Sequence, residues 1–390
     1  MKKLFEIIDS LYEKYVKVWK EVCEIESPTA YKEGVDAVGN YFIGMAKELG
    51  LEYEIHKEEV SGNAICITLN GDVDAKPFAL SGHIDTVFPV GTFGVSVDNE
   101  KIYGPGVCDC KGGVVMSMMV LEALKLYGFR ARPVMLLIQS DEENSSTTSG
   151  KATVEYICKK AKDAVGFFNM EGSNDIDGAD PISSADPVCL WRKGIVSYEF
   201  NVHGIAAHSS KSATEGASAI LEAAHKILAL EKYKDKDGIT CNCGVISGGT
   251  VRNTVPEHCR FVVDIRYATK EQFYEVQKFV KDIADDVSVS GCRCEVKQLT
   301  YRTAMEKTER NLEFLDKVNA ILENNGFIPL KAGGSPGGSD AADVTAHGIP
   351  CIDKLGATGK NVHSTDEYAL LSSLDTGVKK LATVIYNIGD

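Results

Sequence analysis

Apolar and polar positions alternate with two periods along the first half of the chain. Leu4, Ile7, Ile8, Leu11, Tyr12, Tyr15, Val16, Trp19, Val22 and Cys23 recur every three or four residues, which predicts an amphipathic helix over residues 3–24. Val35, Val38, Tyr41, Phe42, Met45 and Leu49 repeat the spacing in a second helix. Short β-type runs follow at 52–57, 63–69, 78–82, 133–140 and 164–170, with helical patterns at 112–127 and 149–160 between the later ones. Strands alternating with helices predict an α/β fold, an open and largely parallel sheet with helices on both faces. In such sheets ligands sit at the C-terminal ends of strands.

Near residue 192 the rhythm changes. Val196, Tyr198, Phe200 and Val202 alternate with Ser197, Glu199, Asn201 and His203, as in a strand with one wet face. A helix at 216–231, strands near 239–247 and 258–267, a helix at 270–285 and a strand at 292–300 complete the order β-α-β-β-α-β, a ferredoxin-like unit. After 303 the first pattern resumes, with a helix at 309–325, a Gly-rich loop at 333–339, a strand at 349–355 and a helix at 372–388. The expected organisation is therefore one domain of residues 1–191 and 303–390, with residues 192–302 inserted in it.

Composition narrows the partners. At 390 residues the chain exceeds what one hydrophobic core usually supports, in keeping with two domains. Its 42 Lys+Arg against 56 Asp+Glu give a net charge of −14, which repels phosphate backbones and argues against nucleic acid. No stretch reaches the roughly 18 apolar residues of a membrane span, and Lys2-Lys3 runs into Leu4-Phe5-Glu6 without a signal-peptide apolar core. A soluble, cytoplasmic protein with no membrane partner is expected. The 12 cysteines fall singly or as Cys-x-Cys pairs, which reads as reduced, mostly buried thiols.

Chemistry-bearing residues gather at the ends of the apolar runs. Phe78-Ala79-Leu80 leads into Ser81-Gly82-His83-Ile84-Asp85, a spacing that suits a ligand histidine whose second ring nitrogen is held by a carboxylate. Gly104-Pro105-Gly106-Val107-Cys108-Asp109-Cys110-Lys111-Gly112-Gly113 opens a helix but fits neither phosphate-binding fingerprint. Leu136-Leu137-Ile138 ends in Asp141-Glu142-Glu143, Phe167-Phe168 in Glu171, and His363 stands near the C-terminus. Taken singly, each reads equally as a cap, a turn or a solvated acid. Together, five runs delivering His, Asp or Glu to one sheet edge suit zinc, and a two-metal site is the economical reading.

As a set, His83-x-Asp85, Asp109 within GPGxxDxKGG, Glu142-Glu143, Glu171 and His363 resemble the motifs of the dinuclear zinc exopeptidase and deacylase family. That family includes aminoacylases, acetylornithine deacetylase, succinyl-diaminopimelate desuccinylase and glutamate carboxypeptidases. The likeness is strongest to the last, through YGPG at 103–106, DIRYA at 264–268 and GGSDAA at 337–342. The resemblance implies a catalytic zinc-binding domain, a mixed sheet flanked by helices, and an inserted dimerisation or lid domain. Two zinc ions per subunit are implied, with cobalt or manganese as substitutes. Asp109 would bridge them, with His83 and Glu171 completing one site and Glu143 and His363 the other. Asp85 would orient His83, and Glu142 would be the general base toward the attacking water.

By the same resemblance, His208 in GIAAHS reaches the active site of a neighbouring subunit, which implies a homodimer. Asn253 in GGTVRNTVP binds substrate, Arg266 grips an α-carboxylate, and Arg302 with Gly337 and Gly338 also faces substrate. Cys110 departs from the pattern by standing where many members carry a second acid after the bridging one. The implied activity is removal of a C-terminal amino acid, Glu or Asp, from a short peptide or N-acylated amino acid. Two alternatives stay open: an N-acyl-amino-acid deacylase of the acetylornithine or desuccinylase type, and a catalytically silent metal- or peptide-binding protein.

Overall fold

Strands Phe78–His83 and Val134–Gln139 are buried along their whole length, as their near-continuous apolar runs require of central strands covered on both faces. In the computed structural model, which describes residues 1–176, 187–235 and 238–389, they lie in the middle of a six-stranded sheet. Its order is Glu52–His56, Ala64–Leu69, Val134–Gln139, Phe78–His83, Gly166–Asn169 and Cys351–Ile352. The last four strands pair in parallel, whereas Glu52–His56, Ala64–Leu69 and Val134–Gln139 pair antiparallel. The sheet is thus mixed rather than largely parallel. The short link between the first two strands is one reason, since a parallel pair needs a crossover of about a dozen residues or more.

Helix Lys111–Tyr127 packs on Phe78–His83 and Val134–Gln139, and is covered in turn by helices Lys2–Glu24 and Thr376–Asn387. Helices Lys32–Glu48 and Ala152–Lys160 also pack on the sheet, and Glu309–Asn324 packs on Cys351–Ile352. A second sheet escaped the sequence pattern altogether. It runs Ser96–Val97, Lys101–Tyr103, Tyr368–Leu370, Thr358–Lys360 and Ser173–Asn174, and two- or three-residue strands carry no readable period. Part of the expected Gly-rich loop is also a strand, Ala332–Ser335, paired with Val188–Arg192.

These elements form one compact unit, comprising Met1–Trp191, Lys307–Ser335 and Ser339–Asp390. The other unit, Arg192–Glu306 with Pro336–Gly338, has its own four-stranded antiparallel sheet. Its order is Thr240–Gly248, His258–Tyr267, Gly194–His203 and Arg293–Arg302, with helices Ala219–Leu230 and Lys270–Asp285 packed against it. Val196, Tyr198, Phe200 and Val202 all face that core, where the Phe200 and Phe261 rings stack 4.6 Å apart. The twelve cysteines are free thiols, all buried except Cys243 and Cys294. Among the described residues, no helix is long and apolar enough to cross a membrane.

Candidate metal centre

Within the first unit, five segments carry histidine or carboxylate side chains to one cluster. His83 is the last residue of its strand, Glu142 and Glu143 lie in the turn just past Gln139, and Glu171 lies just past Asn169. Asp109 and His363 arrive differently from the sequence expectation of main-sheet strand ends. Asp109 sits in the turn before helix Lys111–Tyr127, and His363 in the loop between the short strands Thr358–Lys360 and Tyr368–Leu370. A glycine in the helix's first turn permits the approach: a Cβ on Gly113 would lie 2.1 Å from the Met170 carbonyl, so only glycine lets the helix start beside the segment that delivers Glu171.

Asp109 is at the centre. Its Oδ1 lies 3.0 Å from His83 Nε2, and its Oδ2 lies 3.1 Å from His363 Nε2. His83 Nε2 is also 3.8 Å from Glu171 Oε1, and His363 Nε2 is 3.2 Å from Glu143 Oε2. His83 Nδ1 faces two acceptors, the Asp85 carbonyl at 3.1 Å and its Oδ1 at 3.3 Å. A proton is thereby fixed on Nδ1, so Nε2, which faces Asp109 Oδ1, is the nitrogen that would give up its proton to take a cation. His363 holds its place with φ of 62°, a left-handed conformation that costs a non-glycine residue about 1 kcal/mol or more.

The electrostatics are those of a cluster with too much negative charge. Burial pushes Glu143 up to about 7, reinforced by the charges of Asp109 and Glu142 against the bond from His363. Burial and the same two neighbours raise Glu171 well above the usual carboxylate range. Bonds to Asp109 and Glu143 lift His363 to about 10. Against the penalty of its own burial, Asp109 is held below the usual range by the hydrogen bonds from His363 and His83. Ligand atoms of His83, Asp109 and Glu143 lie within 4.8 Å of one another, as do those of His83, Cys110 and Glu171. The buried His83 imidazole with partly buried carboxylates, joined in the second set by the Cys110 thiol, offers donors at a separation that fits a divalent cation, whose charge the surplus carboxylates would balance.

Surrounding groups hold the donors. Asp85 is fully buried and accepts the Thr29 hydroxyl at 2.7 Å and the backbone N–H groups of Glu142 and Glu143, both at 3.1 Å. It therefore orients the acidic turn as well as His83. The fully buried Lys111 donates to the Ile25 carbonyl at 2.7 Å, tying the helix start to the end of helix Lys2–Glu24. Glu367, which sequence reasoning passed over, is buried against the turn that carries Asp109.

The remaining candidates lie in the second unit. His208 and Asn253 are brought side by side, since His208 bridges to Thr254 and Ser209 N–H donates to the Asn253 carbonyl at 3.0 Å. His208 Nδ1 accepts from Ser210 N–H at 3.3 Å, which leaves the proton on Nε2. Arg266 donates through Nε to Asp264 at 2.7 Å. Arg302 is buried, with its side chain so close over Gly338 that a Cβ there would lie 2.3 Å from Cδ. Arg192, not anticipated, donates to the Gly337 carbonyl at 3.1 Å and so holds the same turn.

A mixed sheet with the buried imidazole of His83, the exposed one of His363 and several carboxylates gathered beside it, in a chain with an inserted α+β unit, is the arrangement of a hydrolase of the metallopeptidase and amidohydrolase kind. The profile of Peptidase family M20/M25/M40 matches residues 79–387, and the chain belongs to that family. Carboxypeptidase G2 of Pseudomonas sp. (strain RS-16) is 27% identical over 395 residues, covering 99% of this chain and 92% of the relative. A succinyl-diaminopimelate desuccinylase of Dinoroseobacter shibae is 22% identical, with 77% and 80% covered. Among solved structures, aminopeptidase PepT of Bacillus cereus superposes with a TM-score of 0.79 at 19% identity, covering 96% and 98% of the two chains. A dinuclear metal-binding peptidase of the M20 family from Bacillus subtilis gives 0.70 at 16% identity, with 97% and 98% covered. The family resemblance read from the motifs is borne out.

Proposed function

We propose that the chain is a zinc-dependent exopeptidase of the carboxypeptidase or dipeptidase type. It would hydrolyse the amide bond to the C-terminal amino acid of short peptides or N-acylated amino acids. The observation that carries this reading is Asp109, whose two oxygens face two different imidazoles at 3.0 and 3.1 Å, the disposition of a carboxylate shared by two cations. On this reading His83 and Glu171 complete one site and Glu143 and His363 the other, with cobalt or manganese as substitute metals. When bound, the two ions would supply Lewis acidity toward the scissile carbonyl and the attacking water.

The protein's own groups do the rest. Glu142, buried beside the cluster and outside both ligand sets, takes a proton from the attacking water and returns it to the leaving nitrogen. Asp85 keeps the proton on Nδ1 of His83. His208, with its proton on Nε2, would donate to the developing oxyanion in the site of a second copy of the chain, which makes the enzyme a homodimer. Asn253 is assigned to substrate binding and Arg266 to the α-carboxylate, whose planar geometry a guanidinium matches. Arg302, with the Gly337-Gly338 turn, is assigned to an acidic side chain, Glu or Asp.

A desuccinylase among the relatives favours a second reading, an N-acyl-amino-acid deacylase. Both reactions cleave an amide beside a carboxylate, so side-by-side kcat/KM values decide. The zinc-loaded protein is assayed on dipeptides and on matching N-acetyl and N-succinyl forms of Glu, Asp, Leu and Lys. Faster peptide cleavage, greatest for Glu or Asp, is expected; faster N-acyl cleavage favours the deacylase. No hydrolysis with zinc, cobalt or manganese would leave a silent binding protein, for which a buried base outside the ligand sets has no use.

A further inference from the structure

We propose that Glu367 is a positioning residue that locks together the turn carrying Asp109 and the loop carrying His363, so that both ligands are set as a pair. The proposal rests on the dinuclear reading above. Glu367 is only 1% exposed. Its Oε1 accepts the backbone N–H groups of Cys108 at 2.9 Å and Asp109 at 3.1 Å, and its Oε2 accepts that of Gly106 at 3.4 Å. Its main chain acts in the same sense. Gly104 N–H donates to the Glu367 carbonyl at 3.2 Å, and Glu367 N–H donates to the Ser364 carbonyl at 3.0 Å, one residue past His363.

One buried side chain thus gathers three donors of the Asp109 turn while its backbone closes the His363 loop. Burial raises the Glu367 carboxyl to about 7, and the three N–H bonds oppose that rise, so the turn favours the charged form that accepts its bonds more strongly. A carboxylate beside Asp109 also adds negative charge where cations would bind, which a neutral acceptor of the same shape would not. Glutamine would keep one oxygen for Cys108 and Asp109 but would turn an NH₂ group toward the Gly106 N–H, donor against donor. Supporting groups that orient metal ligands typically change metal affinity by about 10–100-fold when removed.

The test compares full-length Glu367→Gln, Glu367→Asp and a control, Glu122→Gln, with the wild type. Glu122 is a buried carboxylate that accepts the Tyr15 hydroxyl at 2.7 Å and the Lys14 ammonium, remote in role from the cluster. Zinc affinity is measured by competition with a chromophoric chelator, alongside thermal stability and kinetics at saturating zinc. Glu367→Gln should bind zinc about 10–100-fold more weakly, and excess zinc should restore most of the turnover with KM for substrate unchanged. Glu367→Asp, which keeps the charge with a shorter reach, should recover part of the affinity and carries the measurement if the glutamine variant does not fold. Glu122→Gln should lose stability and keep its zinc affinity. A Glu367→Gln protein that loses stability like the control while binding zinc within twofold of wild type overturns the positioning role. A wild-type chain that takes up no zinc would overturn the dinuclear reading, and this proposal with it.

Discussion

Replacing Asp85 by asparagine tests whether one buried carboxylate supports the cluster. Oδ1 receives the Glu142 N–H and faces His83 Nδ1; Oδ2 receives the Thr29 hydroxyl and the Glu143 N–H. Asparagine has only one acceptor oxygen. Its least costly orientation keeps oxygen toward Glu142 and His83 and lets the Thr29 hydroxyl turn round to accept from the new NH₂. The Glu143 N–H is then left facing a donor, at about 1–3 kcal/mol, and two bonds that were charge-assisted become neutral, at roughly 1 kcal/mol each. The expected loss is about 3–5 kcal/mol in the metal-free protein. Denaturant unfolding followed by tryptophan fluorescence reads it, because Trp19 is buried in the same unit and donates to the Val107 carbonyl of the Asp109 turn. Zinc affinity should fall about 10–100-fold in parallel. A stability change under about 0.5 kcal/mol with unchanged zinc affinity would refute the reasoning.

Two further outcomes follow from the same geometry. Zinc uptake should release protons and weaken on acidification. With His363 raised to about 10 and Glu143 to about 7, lowering pH from 8 to 6 adds the Glu143 proton to the one His363 already carries, so affinity should fall more steeply below pH 7 than above it. Competition titrations across that range check this, and a flat profile would contradict it. Gly113→Ala should destabilise despite alanine's helix advantage of about 1 kcal/mol, because its Cβ would meet the Met170 carbonyl at 2.1 Å and force overpacking worth about 1–3 kcal/mol or more. Thermal unfolding measures the sign, and a stabilised variant would mean the helix start is not held against that strand end.

The long elements were legible because period and burial coincide in them. Helix Lys2–Glu24 and the wholly buried strands Phe78–His83 and Val134–Gln139 each announce their neighbours through side-chain pattern alone. The small sheet did not, since Lys101–Tyr103 and Tyr368–Leu370 are defined by pairing between residues far apart in the chain. The motif histidines and carboxylates were readable by residue type, but the route by which Asp109 and His363 reach the cluster was not. Asp109 arrives on a turn before a helix whose Gly113 lets it start against Met170, and His363 on a loop of the sheet that has no period. Glu367 stands only four residues beyond His363, yet its contacts are to backbone N–H groups of a distant turn, which sequence spacing does not encode. Arg192 is hidden for the same reason, because its partners are the carbonyls of Gly337 and Gly338.

The central claim, metal-assisted amide hydrolysis with Glu142 as the base, is tested most directly by the kcat of Glu142→Ala on the best peptide substrate, with metal content measured on the same sample. The account predicts two bound zinc ions per chain, as in the wild type, and a kcat lower by about 10²–10⁴-fold. Two bound ions with kcat near the wild-type value would contradict it.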